Sequence, residues 1–179
     1  CDLRGFTNYA REHDSEEVIA ILRVYYDQVG EAVTEFEGTV KDYAGDGVLI
    51  LVVAPLKFDD HAQRAVSLAE AIVRRWHERP QPLDVGVGVA TGLVTVGIVG
   101  GAGRLAYAAV GSAVNLASRL CEEAGPGEVL VAAETVEAIA ATGSQAGLEP
   151  SAPRRLKGFA EEVATFALRP ASPRPIVAS

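Results

Sequence analysis

Two aspartates near the ends of predicted strands are the first candidates for chemistry. Asp2 lies at the end of an opening strand, in the stretch CDLRGFT, and Asp46 lies in a Gly-Asp-Gly turn at residues 45–47. If the opening strand pairs beside the hairpin that this turn closes, both carboxylates reach the same edge of one sheet. Two carboxylates that leave room for oxygen ligands from a substrate suit a hard divalent cation such as Mg2+. The competing interpretation of Asp46 is an ordinary hairpin turn, because Asp-Gly pairs are common there.

The residues that follow Asp2 suit the binding of phosphate groups. Gly5, Phe6 and Thr7 begin a predicted helix, and the free amide groups at a helix N-terminus attract anions. Gly5 carries no side chain and so permits a close approach. We therefore expect this segment to receive phosphates beside the aspartates.

A second polar pair, Asn115 and Arg119, lies in the stretch GSAVNLASRL. At a spacing of four residues, the two side chains project from one helix face, roughly 40° apart. The opposite face is predicted to be buried through its apolar residues, which are Val114, Ala117, Leu120 and Cys121. In the functional interpretation Asn115 orients a ribose, and the planar fork of Arg119 neutralises a phosphate. The alternative is a solvated polar face.

Two lysines complete the list of candidates. Lys41 lies in a predicted strand five residues before Asp46, in a setting where most lysines simply face solvent. Lys157, in the stretch RRLKGFAEE, precedes a glycine turn and is either a turn residue or a phosphate contact. The three histidines are scattered and lack the spacing of metal ligands.

The elements that must position these residues alternate between helices and strands. Asp14 and Glu17 form a capping box ahead of a long amphipathic helix that ends near Gly38. TVKDYAGDGVLILVV predicts a hairpin with Asp46 at its tip, and a second helix runs from residues 59–60 to a point before Pro80.

The next stretches, LDVGVGVATG and LVTVGIVG, are interpreted as a second hairpin. In them Gly86, Gly88 and Gly97 leave bare backbone for a close approach. A short helix in GSAVNLASRLCEEAG, a strand in GEVLVAA, a helix at about 133–141 and strands near 148–156 and 162–168 follow.

This order predicts an α+β fold. We expect a ferredoxin-like (βααββαβ) core with an appended small α/β unit, in which helices pack on a mainly antiparallel sheet. Residues 1–168 are predicted to form one domain, and residues 169–179 a Pro-rich flexible tail.

Composition narrows the classes of function. The chain has 179 residues, of which 49% are apolar, and its net charge of −8 argues against nucleic-acid binding. Cys1 and Cys121 lack the spacing and density of a disulfide scaffold, which favours a reducing compartment. No apolar run approaches the length of a membrane span. The sequence contains no Met, so we expect a piece of a longer chain, with a regulatory or sensor domain or a membrane anchor outside it.

Four stretches occur in a recognisable order: CDLRGFT, VKDYAGDGVLI, DDHAQRAV and YAAVGSAVNLASRL. Over about residues 1–168 they resemble the catalytic domain of class III nucleotidyl cyclases, the adenylate and guanylate cyclase family. The resemblance implies that ATP is converted to 3′,5′-cyclic AMP and pyrophosphate with two Mg2+ or Mn2+ ions per site. It also implies a cytoplasmic catalytic domain and a head-to-tail homodimer, in which each composite site uses the metal face of one protomer and the nucleoside face of the other.

The resemblance assigns the first group of site residues to the metal and the phosphates. Asp2 and Asp46 match the two metal-binding aspartates, and Leu3 is placed to lend its backbone carbonyl. Phe6 and Thr7 fall where the family holds the triphosphate.

The second group is assigned to the nucleoside and the transition state. Lys41 matches the adenine-specifying lysine of adenylate cyclases, Asn115 the ribose-orienting asparagine and Arg119 the transition-state arginine. Lys157 resembles the lysine that contacts the terminal phosphates. Ala108 departs from the pattern, because adenylate cyclases usually carry Asp or Thr there and guanylate cyclases often Cys. Alanine offers the base no side-chain hydrogen bond, so discrimination between purines is weaker.

Two alternatives follow from the same residues. One is a guanylate or purine-unselective cyclase, suggested by Ala108. The other is a catalytically weak nucleotide-binding dimerisation module of a sensor protein. Such a module would lack a residue that binds the metal, orients the ribose or stabilises the transition state. None of these residues is missing from the sequence.

Overall fold

Strands and helices alternate along the chain as the α+β prediction requires. The computed structural model describes residues 1–52, 59–101, 103–145 and 147–168, and the predicted tail at 169–179 lies outside these residues. The described elements are β1 (Asp2–Arg4), α1 (Phe6–Glu12), α2 (Ser15–Glu35), β2 (Thr39–Ala44), β3 (Gly47–Leu51), α3 (His61–Trp76), β4 (Asp84–Val89), β5 (Thr95–Gly101), β6 (Arg104–Val110), α4 (Ser112–Glu123), β7 (Val129–Ala132), α5 (Ala133–Ala141), β8 (Leu148–Arg154) and β9 (Val163–Leu168).

The described strands form a large sheet and a separate ribbon. The large sheet has the order β2-β3-β1-β4-β7-β9-β8. Its neighbouring strands are antiparallel, except that β4 and β7 run parallel. Strands β2-β3-β1-β4 and the helices between them make the ferredoxin-like core, and β7, β9 and β8 extend it. The predicted fold class is confirmed.

Helix α2 begins where its capping residue predicts. The Asp14 carboxylate accepts hydrogen bonds from the backbone amides of Glu16 and Glu17, at 3.0 and 2.9 Å. These bonds satisfy amide groups that lack a partner within the helix. One face of the helix is buried against the sheet and α3, through Ile21, Tyr25, Val29, Ala32 and Val33.

Helices cover both faces of the large sheet. Val129 and Val131 of β7 pack in the same cluster as the buried residues of α2 and α3. The intervening Leu130 and Ala132 pack with Leu120 of α4 in a second cluster. Since successive side chains of a strand point to opposite faces, α4 lies on the face opposite α2 and α3.

The second predicted hairpin is wrong. Strand β4 does not pair with β5 but lies inside the large sheet between β1 and β7. Strand β5 pairs instead with β6, from Thr95 opposite Val110 to Gly101 opposite Arg104, and β6 is a strand that the sequence patterns did not predict. The reason is that β4 is apolar on both sides and is buried by helices on both faces. Periodicity identified it as a strand but did not identify its neighbours.

Bare glycine backbone lets α4 pack directly on β4. A Cβ atom at Gly88 would lie 2.2 Å from the Ala117 carbonyl oxygen and 2.3 Å from the Cys121 nitrogen, so any side chain there would displace the helix. Gly86 also borders the end of α4, whereas Gly97 has open space around it. The prediction of a close approach therefore holds at Gly86 and Gly88, whereas at Gly97 no described residue of this chain makes such an approach.

Candidate active site

Strand order brings the two predicted aspartates together. In the sheet, Asp2 of β1 lies opposite Gly47 on one side and Gly86 on the other. The Leu3 amide donates a hydrogen bond of 3.3 Å to the carbonyl oxygen of Asp46. The backbone of Leu3 therefore adjoins the Asp46 turn, while the Leu3 side chain is buried in the core.

The Asp46 carboxyl group is close enough to Asp2 to affect its pKa. Burial raises the pKa of Asp2 to about 6, assisted by a hydrogen-bonding contact with Asp46 and by the charge of that carboxylate, while Arg4 acts in the opposite direction. Among the described residues, the buried Oδ1 of Asp2 has no hydrogen-bond donor. These facts agree, because two ionised carboxylates cannot donate to each other. A bound cation would relieve the repulsion between these two carboxylates.

This pair fits a hard divalent cation. No group of three or more His, Cys, Asp or Glu side chains converges in the described part of the chain. A cation bound by Asp2 and Asp46 would take its other ligands from backbone oxygens, water and substrate. Mg2+ commonly uses one or two carboxylates together with substrate phosphates and water, and the partnerless Oδ1 of Asp2 offers one such oxygen.

A tyrosine from α2 holds the turn that carries Asp46. Gly45 adopts a left-handed backbone conformation with φ of 64°, which glycine tolerates best. The Tyr26 hydroxyl donates a hydrogen bond to the Gly45 carbonyl oxygen, and its ring packs on Tyr43 with centroids 4.5 Å apart. Sequence reasoning missed Tyr26, because nothing in the pattern links a helix residue to a turn 19 positions later.

Arg4 is a further residue that sequence reasoning missed. Its Nη2 lies 2.9 Å from Oδ2 of Asp2, and its side chain is only 17% exposed. The signal was present in the sequence, because residues i and i+2 of a strand project from the same face. An arginine two positions after a candidate metal ligand is therefore placed to contact it.

The start of α1 lies beside the aspartates. Residues 2–8 and Asp46 line a concavity of about 270 Å3. Gly5 precedes the helix with φ of 79°, and Phe6 and Thr7 occupy its first two positions. The structure thus brings the predicted phosphate-binding residues to the edge that carries the carboxylates.

The second predicted pair lies on the outer face of α4. Asn115 is exposed, and Arg119 is one-third exposed with Nη1 2.6 Å from both carboxylate oxygens of Glu122. Within the described residues, no hydrogen bond or ion pair joins either side chain to Asp2 or Asp46. The structure therefore leaves two separate groups of candidate residues, which we call the candidate metal half-site (Asp2 and Asp46) and the α4 half-site (Asn115 and Arg119).

The buried face of α4 differs in part from the predicted one. Its buried residues are Ala113, Leu116, Leu120 and Cys121. Val114 and Ala117, which were predicted to be buried, are only half-buried. The helix is rotated because its backbone, rather than a side-chain ridge, contacts β4 at Gly88.

The predicted base-binding residues lie on neighbouring strands. Lys41 stands at an irregularity in the pairing of β2 with β3, and its side chain is 13% exposed, with Nζ 3.4 Å from Asp42. It is therefore largely buried rather than solvent-facing. Ala108 is in β6 opposite Gly97, and β6 approaches β2. Irregular pairing often redirects a side chain near a functional site.

Lys157 lies near α4, because the neighbouring Leu156 and Phe159 pack in one cluster with Leu116 and Leu120 of that helix. It is exposed in the connection between β8 and β9, inside a turn closed by a 3.1 Å hydrogen bond from the Phe159 amide to the Leu156 carbonyl oxygen. The following Gly158 has φ of 88°, so the predicted glycine turn is present.

Comparison with known proteins identifies the family. The family model described as the adenylate and guanylate cyclase catalytic domain matches residues 1–170. The chain belongs to this family, and the recognition drawn from its four motifs is confirmed.

Relatives and solved structures include both kinds of cyclase. Adenylate cyclase 1 of Rhizobium meliloti is 35% identical over 127 residues, which are 66% of this chain and 19% of that protein. The crystal structure of the adenylyl cyclase CyaB from P. aeruginosa has a TM-score of 0.83 and 28% identity, covering 94% of this chain and 90% of its own. The crystal structure of the guanylyl cyclase Cya2 has a TM-score of 0.80 and 31% identity, and the match covers 93% of this chain and 87% of that chain.

The chain spans only part of its curated relatives. It covers 27% of the length of the first of them, an uncharacterised protein of Mycobacterium bovis. In the described part of the chain, no helix combines the length and the apolar composition needed to span a membrane.

Proposed function

We propose that this domain converts ATP to 3′,5′-cyclic AMP and pyrophosphate at composite sites in a homodimer. The observation that carries the proposal is the pairing of two neighbouring carboxyl groups, since Asp46 is close enough to raise the pKa of Asp2, with a buried Asp2 Oδ1 that has no donor among the described residues. Membership of the cyclase family supports a nucleotidyl cyclase reaction.

The metal half-site has the groups that this reaction needs on the phosphate side. Asp2, Asp46 and the Leu3 carbonyl would hold Mg2+ or Mn2+, two ions per site. The bound ions would supply Lewis acidity for the ribose 3′-hydroxyl and neutralise charge on the triphosphate. Phe6 and Thr7 would seat the triphosphate at the start of α1, beside the carboxylates.

The α4 half-site would act on the nucleotide that is bound by a second protomer. Asn115 would orient the ribose, Arg119 would stabilise charge that develops at the α-phosphoryl group, and Lys157 would contact the terminal phosphates. All three side chains reach solvent, as a contribution across an interface requires. Catalysis would come from positioning and electrostatics, without a protein nucleophile.

An exposed ribbon supports dimerisation. Strands β5 and β6 pair only with each other in the described structure. They expose Ile98 by 72%, Val99 by 54%, Tyr107 by 41% and Val110 by 68%. Two-stranded ribbons are marginally stable alone, and contiguous exposed apolar side chains mark interaction surfaces. A second copy of the chain would cover them.

Lys41 favours adenine as the base. Its side chain is mostly buried in β2, a strand that β6 approaches, and its ammonium group would hydrogen-bond the base there. The second candidate is a guanylate or unselective cyclase. It is favoured by Ala108, which lacks a hydrogen-bonding side chain, and by the 31% identity to a guanylyl cyclase.

Cellular context forms part of the proposal. We propose that the catalytic domain acts in the cytoplasm, where ATP is available as substrate. Because the relatives are several times longer than this chain, we propose that a regulatory or sensor domain lies elsewhere in the full protein.

The test is turnover of ATP and GTP measured side by side, first with Mg2+ and then with Mn2+. Cyclic AMP as the main product supports the proposal, and cyclic GMP at an equal or higher rate supports the second candidate. Asp46→Asn is the control for contaminating activity. Absence of any cyclic nucleotide from a dimeric sample would contradict both and favour a nucleotide-binding dimerisation module.

A further inference from the structure

We propose that Arg4 is a positioning residue that joins the two half-sites carried by one protomer. This inference rests on the proposed function. Its guanidinium group contacts the metal half-site through Nη2, 2.9 Å from Oδ2 of Asp2. Through Nη1 it donates hydrogen bonds to the carbonyl oxygens of Cys121 and Ala124, at 3.0 and 3.2 Å, where α4 ends.

Both ends of this contact have a physical reason. The last carbonyl groups of a helix lack partners within the helix, and a positive charge is favourable at that end. At the other end, the contact to Oδ2 of Asp2 leaves Oδ1 buried and free of donors. Arg4 therefore fixes which oxygen of Asp2 is available to a cation.

The space for the guanidinium group is built into the sheet. Gly86 lies opposite Asp2 in β4. A Cβ atom at Gly86 would lie 3.0 Å from Nε of Arg4 and 3.2 Å from Cβ of Ala124. The missing side chain at this position leaves room for Arg4 between β4 and the end of α4.

The consequence depends on the dimer. In a head-to-tail dimer, Asp2 and Arg119 of one protomer serve different composite sites. Arg4 contacts Asp2 on one side and the carbonyl oxygen of Cys121 on the other. Cys121 lies two residues after Arg119 on α4. One arginine would thus support one site through the metal ligand and the other site through the position of α4. Only a planar fork with several donors makes both contacts at once.

The test separates these two roles by placing Arg4→Gln in one chain at a time. Chains carrying Asp46→Ala and chains carrying Arg119→Ala are combined, and heterodimers are purified through two different tags. Each heterodimer has one intact composite site. Its metal half comes from the Arg119→Ala chain, and its α4 half comes from the Asp46→Ala chain.

We expect Arg4→Gln to lower kcat in both placements, by about 10- to 100-fold as for other residues that orient a ligand, with KM for ATP changed less than about threefold. Loss in only one placement, or in neither, would overturn the joining role. A parental heterodimer without activity would contradict the composite sites themselves and the inference that rests on them. Arg75→Gln is the matched control, since Arg75 is also partly buried and paired with glutamates. It should not change kcat.

Hydrogen exchange provides a readout without metal or nucleotide. Arg4→Gln should raise exchange of the amides at the end of α4, around Cys121 to Ala124, whereas Arg75→Gln should not. Unchanged exchange at these amides would contradict the proposal that Arg4 holds the end of α4. If Arg4→Gln does not fold, Arg4→Lys takes its place in the test. The lysine retains the charge, but its single ammonium group replaces only one of the two contacts. Arg4→Lys should therefore lower kcat in at least one placement, and full activity in both placements would overturn the proposal.

Discussion

The two half-sites differ in how firmly the fold sets them. Asp2 lies on an inner strand with a neighbour on each side, and the Asp46 turn is held by Tyr26 and by the backbone of Leu3. Asn115 is exposed, and Arg119 is restrained by a surface ion pair with Glu122, an interaction worth about 0.2 to 1 kcal/mol. The candidate metal half-site is preorganised in a single chain, whereas in the proposed dimer the α4 half-site would be completed by groups across an interface.

The largest expected effect comes from breaking the preorganised half. Asp46→Asn removes one of two carboxylates and should lower kcat with ATP by at least about 1,000-fold, since metal stabilisation of the transition state is worth several kcal/mol. The measurement is cyclic AMP formation at saturating Mn2+. Activity within tenfold of the unmodified chain would refute the assignment of the metal site.

Disrupting the α4 half-site should lower kcat nearly as much but should hardly change the free energy of unfolding. Arg119→Ala should lower kcat by about 1,000-fold, the lower end for an arginine that stabilises phosphoryl charge. Its free energy of unfolding should change by less than about 0.5 kcal/mol, because only a surface ion pair is lost. Chemical denaturation and turnover measured on the same preparation check both parts, with the exposed Arg23→Ala as the control. A large loss of stability would contradict the contrast between the half-sites.

The pH dependence of stability sharpens the comparison. Because the pKa of Asp2 is raised from 3.8 to about 6 in the folded chain, the folded state binds this proton more tightly than the unfolded state. The contribution of Asp2 to the free energy of unfolding is therefore most favourable below pH 4 and declines as pH rises through 6.

Asp46→Asn should relieve this decline, because it removes the like charge and supplies an amide donor to Asp2. Without metal, we expect the variant to be more stable by roughly 1 kcal/mol near pH 8, after allowance for solvent screening. The gain should shrink towards pH 4. Urea unfolding across this pH range measures it, and the exposed Asp27→Asn is the control. A gain that is independent of pH would show that the Asp2 carboxyl is not its source.

The smallest effect is expected at the ion pair of the α4 half-site. Glu122→Gln frees Arg119 from both carboxylate oxygens and should raise kcat/KM by no more than about fivefold, in line with an interaction of up to about 1 kcal/mol. Glu123→Gln, whose contact to Arg154 is 3.9 Å, is the matched control. A fall in kcat/KM for Glu122→Gln alone would mean that the glutamate positions Arg119 productively.

Local sequence patterns were sufficient for most elements of the fold. The cap at Asp14 and the apolar stripe of α2 depend on neighbours within a few residues, and both are present in the structure. Strand pairing is a tertiary property, and for this reason β4 received the wrong partner and β6 was missed. The glycines of β4 signalled a close approach without indicating that α4 is the element involved.

The candidate site could be predicted in part for the same reason. The approach of Asp2 and Asp46 follows once β1 is placed beside the hairpin, a pairing that was only a condition in the sequence and is present in the structure. The contact of Arg4 with α4 joins residues 117 and 120 positions apart, and no local pattern encodes it. The hydroxyl of Tyr26 was missed because its role is a single bond to a distant turn.

Complementation tests most directly whether the two half-sites belong to different active sites. Purified heterodimers of an Asp46→Ala chain and an Arg119→Ala chain contain one intact composite site out of two. They should therefore show about half the activity per dimer of the unmodified protein, while each homodimer shows almost none. Heterodimers as inactive as the two parents would contradict the account.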